Sequence, residues 1–246
     1  MTIWNIHLLN ARLDLTRVLP DIRAAAREAV AAVSEHADLP PFDLVVHGLP
    51  GGGTIEWGVA GDAPSPGLVR ITLNPDRFDP APLIRTLVRS MHHLIRWEGP
   101  GYGRSLGEAL VSEGLAGHFV GQVLGGRTDP WDAVTPAPGL ARRALNEWAR
   151  LDYDHARWFA GKGDIRKWTG YGLGHRLVVE HLAQNVDQDP VTLAQARADM
   201  FRPAMRRLVG TDGQPDDEPT DETVLPLPEP EPEADRPDRA PDEPAD

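Results

Sequence analysis

Two short runs hold the residues best placed to do chemistry together. The first is Arg89-Ser90-Met91-His92-His93, and the second contains Glu108 and Glu113 in Gly107-Glu108-Ala109-Leu110-Val111-Ser112-Glu113-Gly114. Two histidines one helical turn apart present both imidazoles to one Zn²⁺, and a carboxylate from a second helix closes a third corner, leaving the fourth for water. The metal lowers the pKa of that water, and a neighbouring Glu takes its proton. These runs resemble the frame of such a site with several parts replaced. Arg89 stands one turn before His93, and a guanidinium is a permanent cation with no lone pair for a metal.

The elements that must position these residues are well marked. Asp79 caps a helix with Pro80 in its first turn, and Leu83, Ile84, Leu87, Val88, Met91, Leu94 and Ile95 give it a broad apolar stripe. Arg89 and His93, four apart, share another face. A second helix opens at Ser105, with Glu108 three residues on completing a capping box. The turn between them, Glu98-Gly99-Pro100-Gly101-Tyr102-Gly103, is rich in glycine.

Before this pair the chain reads as a small sheet. Strands are expected over 2–9, 42–47, 54–60 and 68–73, with a helix after Pro20 that buries Ile22, Ala25, Ala26, Ala29, Val30 and Val33 and ends by Pro40-Pro41. Residues 51–53 and 61–67 are expected as loops. The glycine triplet lacks the Gly-Lys-Ser/Thr of a phosphate cradle. After the pair, helices are expected over 140–151, 171–184 and 190–201, with Pro203 breaking or kinking the segment after them. Asp152-Tyr153-Asp154-His155 imitates a metal cluster but reads better as solvated polar residues.

Leu87-Val88-Arg89-Ser90-Met91-His92-His93, the Gly99–Gly103 turn, Glu113-Gly114-Leu115-Ala116 and the later Trp168-Thr169-Gly170-Tyr171-Gly172-Leu173-Gly174-His175 resemble a bacterial family of zinc-dependent proteases known mainly as a domain of unknown function. The likeness covers roughly residues 40–200. It implies an α+β, zincin-like fold: a small N-terminal sheet and a mainly helical body carrying the active-site helix. Family members with an intact site show His-Glu-x-x-His followed by a Glu-Gly-Leu-Ala helix. Carried over, the second His falls on His93 and the carboxylate ligand on Glu113, both retained. The first His falls on Arg89 and the general base on Ser90.

Those departures set the functional expectation. Ser90 cannot accept a proton near neutral pH without another base, and one His with one Glu binds zinc weakly. The expectation is a pseudo-enzyme with no cofactor, in which Arg89 pairs with Glu113 and supplies the lost metal's charge. Its partner would be an unidentified protein or peptide. The alternative is an active zinc hydrolase with a site rebuilt from His93, Glu113 and one of His92, His118 or His175. Tyr171 and His175 are candidate oxyanion stabilisers. A metal-free pair of Ser90 with His93 lacks an oxyanion hole, since backbone N–H groups within a helix are already used.

Charge divides the chain. The net charge of −12 is carried by residues 211–246, where 14 acidic side chains face only Arg236 and Arg239 among nine prolines, while residues 1–210 balance at 23 acidic and 23 basic. We therefore expect one domain over 1–210 and a disordered acidic, proline-rich tail over 211–246. No basic patch set with stacking aromatics points to nucleic acid. No run of about 20 apolar residues points to a membrane, the N-terminal residues do not read as a leader, and there is no cysteine. These features suit a cytoplasmic protein.

Overall fold

The computed structural model describes residues 2–54 and 56–211. The stretch read as an acidic tail lies outside them from residue 212 onward. The expected α+β class holds, with a four-stranded sheet first and helices after it. Strands β1 (Trp4–Leu9), β2 (Phe42–Gly48), β3 (Val59–Ser65) and β4 (Leu68–Leu73) lie in the order β1-β2-β4-β3. The first three in that order are parallel, and β3 runs antiparallel to β4. Helix α1 (Leu19–Ser34) makes the crossover from β1 to β2, with Pro20 in its first turn as expected.

Strand alternation decides what faces the core. Phe42, Leu44 and Val46 of β2 join Val69 and Ile71 of β4 under α1 and α2 (Pro80–Trp97) in one apolar cluster. The opposite face carries Asn5 and His7 bonded to Asp43 at 3.1 and 2.9 Å, and Arg70 bonded to Asp62. A second cluster forms around α3 (Leu106–Leu124), α4 (Leu140–Asn146), α5 (Thr169–Leu182) and α6 (Arg202–Thr211). Among the described residues no helix is long and apolar enough to cross a membrane.

Three expected elements move, each for a physical reason. The strand expected over 54–60 begins only at Val59, because Thr54 is held back against it, accepting from Gly58 N at 2.7 Å and donating its N–H to Val59 O at 3.2 Å. Residues 59–65 then pair with β4, and Pro64 is tolerated on an edge strand. The helix expected over 140–151 stops at Asn146. Trp148 and Arg150 leave helical geometry, and their carbonyls accept from Gly107 N (2.9 Å) and Leu106 N (3.2 Å), which capping leaves without intrahelical partners. The helix expected over 190–201 is two 3₁₀ turns, Thr192–Gln195 and Ala198–Phe201, and Pro203 sits inside the first turn of α6 rather than ending a helix.

Candidate functional site around Arg89

The site sits where α2 meets α3. The Asp79 carboxylate accepts from Ala81 N at 3.0 Å and starts α2, while Ser105 and Glu108 cap α3 reciprocally. Glu108 therefore serves the helix end rather than the cavity. The joining turn is tight. Gly103 has φ +87°, and a Cβ there would meet the Glu108 side chain at 2.3 Å, so only glycine fits. This turn delivers Tyr102, whose hydroxyl donates to Glu113 Oε1 at 2.9 Å.

Arg89 is the centre of the constellation. Its Nη1 and Nη2 donate to the two oxygens of Asp132 at 2.7 and 2.8 Å, a bidentate pair. Its Nε reaches Glu113 Oε2 at 3.3 Å, and Nη2 also donates to the Glu113 carbonyl at 3.2 Å. The expected Arg89–Glu113 pair is present, but Asp132 is the closer partner. Asp129 lies 3.8 Å from Arg89 and is held by Arg85 at 2.6 Å. The Arg89 guanidinium also sits 5.7 Å from the Trp131 ring and 5.4 Å from the Tyr171 ring.

Burial makes this network consequential. Arg89 is 8% exposed, Glu113 7% and Asp132 3%. Burial opposes charge on Arg89, yet Asp132 and Glu113 outweigh it and raise its pKa above the ordinary value. Burial likewise pushes Glu113 up, but His93, Arg89 and Tyr102 overcome it and hold the carboxyl well below the usual range. For Asp132, burial wins over the pull of Arg89 and lifts the carboxyl above its usual range, with Asp129 and Glu113 adding repulsion. The two partners thus shift in opposite senses. At 2.7 Å from a permanent cation, Asp132 is still ionised at neutral pH.

The other singled-out residues divide between the site and elsewhere. His93 presents Nε2 3.6 Å from Glu113 Oε2, and its buried Nδ1 has no partner among the described residues. Ser90 donates its hydroxyl to Thr86 O at 2.9 Å and is buried in the cavity wall. His92 turns the other way, to the Pro190 carbonyl at 3.0 Å and the Phe119 ring. Tyr171 does line the cavity, but His175 does not. Its ring stacks on His118 at 3.9 Å, and its carbonyl pairs with His118 Nε2 at 3.1 Å. The two candidate oxyanion stabilisers therefore do not act on one space.

The cavity in front of Arg89 measures about 510 Å³. One wall is residues 59–64 of edge strand β3; others are Tyr102, Trp131, Trp168 and Tyr171. Trp168 has φ +70°, a conformation that is strained for a bulky residue. It is held by its N–H on Phe159 O at 3.2 Å and by Lys167 Nζ 4.2 Å over its ring. His155 also lines the cavity and stacks on Phe159 at 4.4 Å, so it is not simply a solvated residue. Asp129, Trp131 and Asp132 escaped the sequence reading. One signal pointed to them: a basic residue on a buried helix face demands an acid, and Asp129-Pro130-Trp131-Asp132 places two acids around a tryptophan.

This pair of helices follows a four-stranded sheet in an α+β domain and sets the Glu113 carboxylate opposite His93. Residues 26–201 match the family described as Predicted Zn-dependent protease (DUF2268), and the chain belongs to that family. No curated protein matches the chain.

Proposed function

We propose that this chain is a member of its family that has lost metal-dependent hydrolysis and works as a binding module for a peptide or an extended protein segment. One observation carries the reading: a guanidinium, tethered to α2 as Arg89, lies among Asp132, Glu113 and Asp129, beside His93, where a catalytic cation would be needed. The donor set does not suit zinc. Both Glu113 oxygens are engaged, Oε1 by Tyr102 and Oε2 by Arg89, and a permanent cation repels a metal ion. Among the described residues no three His, Asp or Glu side chains are grouped to hold a metal. A site rebuilt on His93 and Glu113 needs a further ligand, and His92, His118 and His175 are each bonded or stacked elsewhere.

Peptide binding is supported by β3. Among the described residues it pairs as a strand only with β4, so it is an edge strand; Val59 O accepts from Thr54 N and Ala63 O from the Trp97 indole, and residues 59–64 line the aromatic cavity. An extended segment can add itself to such an edge through main-chain hydrogen bonds while a side chain enters the cavity.

Metal analysis of protein purified without chelators tests the loss of hydrolysis. We expect far less than one zinc per chain and no peptidase activity. A full equivalent of zinc that disappears in Glu113→Gln would overturn the reading. The reverse experiment is Arg89→His with Ser90→Glu, which should gain one zinc; a double variant that folds and takes up no metal would show that the carried-over ligand positions are wrong.

A further inference from the structure

A second buried arginine lies on α2, two turns beyond Arg89, and its surroundings differ. Arg96 is 1% exposed. Its Nε donates to Ser112 Oγ at 3.2 Å, and Nη1 donates to the carbonyls of Ala194 at 3.1 Å and Leu193 at 3.5 Å. Its Nη2 donates to no acceptor among the described residues, and no carboxylate among them lies within ion-pair distance. Burial accordingly pulls its pKa down, to about 10, against a weak opposing pull from Glu108. A guanidinium buried without a counter-charge is costly, so this position calls for a ligand or a reason.

The space beside it supplies the ligand's place. Arg96 lines a cavity of about 520 Å³ together with Arg197, Arg202, Ser105, Glu108 and Trp148. Arg197 is exposed, and its side chain makes no hydrogen bond or ion pair within the described residues. Arg202 stands 5.9 Å over the Trp148 ring and pairs with Asp199 at 3.1 Å. The two acids present are already committed. Glu108 Oε2 accepts from Arg104 N, Ser105 N and Ser105 Oγ, each at 2.9 Å, and Asp199 holds Arg202 and the Trp148 indole. Three guanidiniums against two occupied carboxylates leave one positive charge in excess.

We propose that this cavity is a binding site for a small oxyanion, a phosphate or a carboxylate, seated on Arg96 Nη2 and closed by Arg197 and Arg202. Guanidinium groups suit both because their paired N–H donors match two oxygens of one anion. The site opens between α3 and the 3₁₀ turns before α6, and it takes none of its residues from the Arg89 cavity. It therefore stands or falls independently of the peptide-binding reading.

The test is calorimetric titration of the full chain with inorganic phosphate and, separately, with succinate, each at an ionic strength matched with sodium chloride. We expect saturable binding of at least one of them at one site per chain. In the double variant Arg197→Gln with Arg202→Gln the affinity should fall about tenfold or more. Those two residues are exposed or half-buried, so the variant should unfold in chloride at the same temperature as the parent. Phosphate without succinate identifies the anion as a phosphate, and the reverse identifies a carboxylate. No saturable binding of either, or unchanged affinity in the double variant, overturns the proposal.

Discussion

Arg89 and Arg96 sit on one helix, both buried, and the chain treats them in opposite ways. Arg89 meets three carboxylates within 4 Å, and its pKa rises. Arg96 meets neutral carbonyls and a serine hydroxyl, and its pKa falls to about 10. The difference teaches what each cation is for. A guanidinium already matched by carboxylates is a structural tie with little attraction left for an anion. One left in excess beside a cavity retains that attraction.

The largest effect should come from breaking the matched arginine. Asp132→Ala leaves Arg89 buried without its bidentate partner, and urea unfolding should show a loss of about 3–5 kcal/mol. A loss below about 1 kcal/mol would mean that the network behaves as a surface pair, and the contrast with Arg96 would collapse.

Acid should then separate the two regions. Glu113 is held low in the folded chain, so its stabilising contribution is complete above the ordinary carboxylate range and is lost as pH falls through the folded value, about 2. Buried His92 acts in the same direction. Burial lowers it from 6.5 to about 3, so the unfolded chain binds that proton first and stability declines as pH drops below about 6.5. Asp132, with its raised pKa, works against this trend. Urea unfolding at a series of pH values should show stability falling on acidification by up to about 1.4 kcal/mol per pH unit for each proton involved. Glu113→Gln should flatten the part below pH 4.5, whereas an equally steep curve in that variant would remove Glu113 from the account.

Removing the unmatched arginine should cost less. Arg96→Met keeps the apolar stem and gives up a few hydrogen bonds to neutral acceptors while relieving the burial of a charge, so the expected loss is about 1–2 kcal/mol. A cost as large as that of Asp132→Ala would show Arg96 to be as firmly tied as Arg89. Smallest of all, Arg197→Gln alone should change stability in chloride by no more than about 0.5 kcal/mol, measured by thermal unfolding.

Much of the frame was legible in the residues, and the reason is local. Asp79 with Pro80, and Ser105 with Glu108, mark the starts of α2 and α3 within one turn of chain. The same holds for the apolar stripe of α2 and for β2 and β4, whose periodicity is written in consecutive residues. β3 differs from its expected place because residues 61–65 look like a loop, with Gly61, Pro64 and Ser65, until β4 pairs with them. The 3₁₀ turns over 192–201 were misread as one helix because Ala196 and Arg197 turn extended there.

At the site, sequence by itself determined that Arg89, Ser90 and His93 share one helix, with Arg89 and His93 one turn apart, and that Glu113 lies on the next helix. Side-chain chemistry is set by identity and spacing, and one helical turn suffices to relate Arg89 to His93. Only the tertiary structure decided that Asp132, 43 residues from Arg89, is its main partner, that His175 is turned onto His118, and that Arg96 has no carboxylate. Electrostatic partners across such separations are chosen by how helices and loops pack, and no rule acting within a few residues of chain can select them.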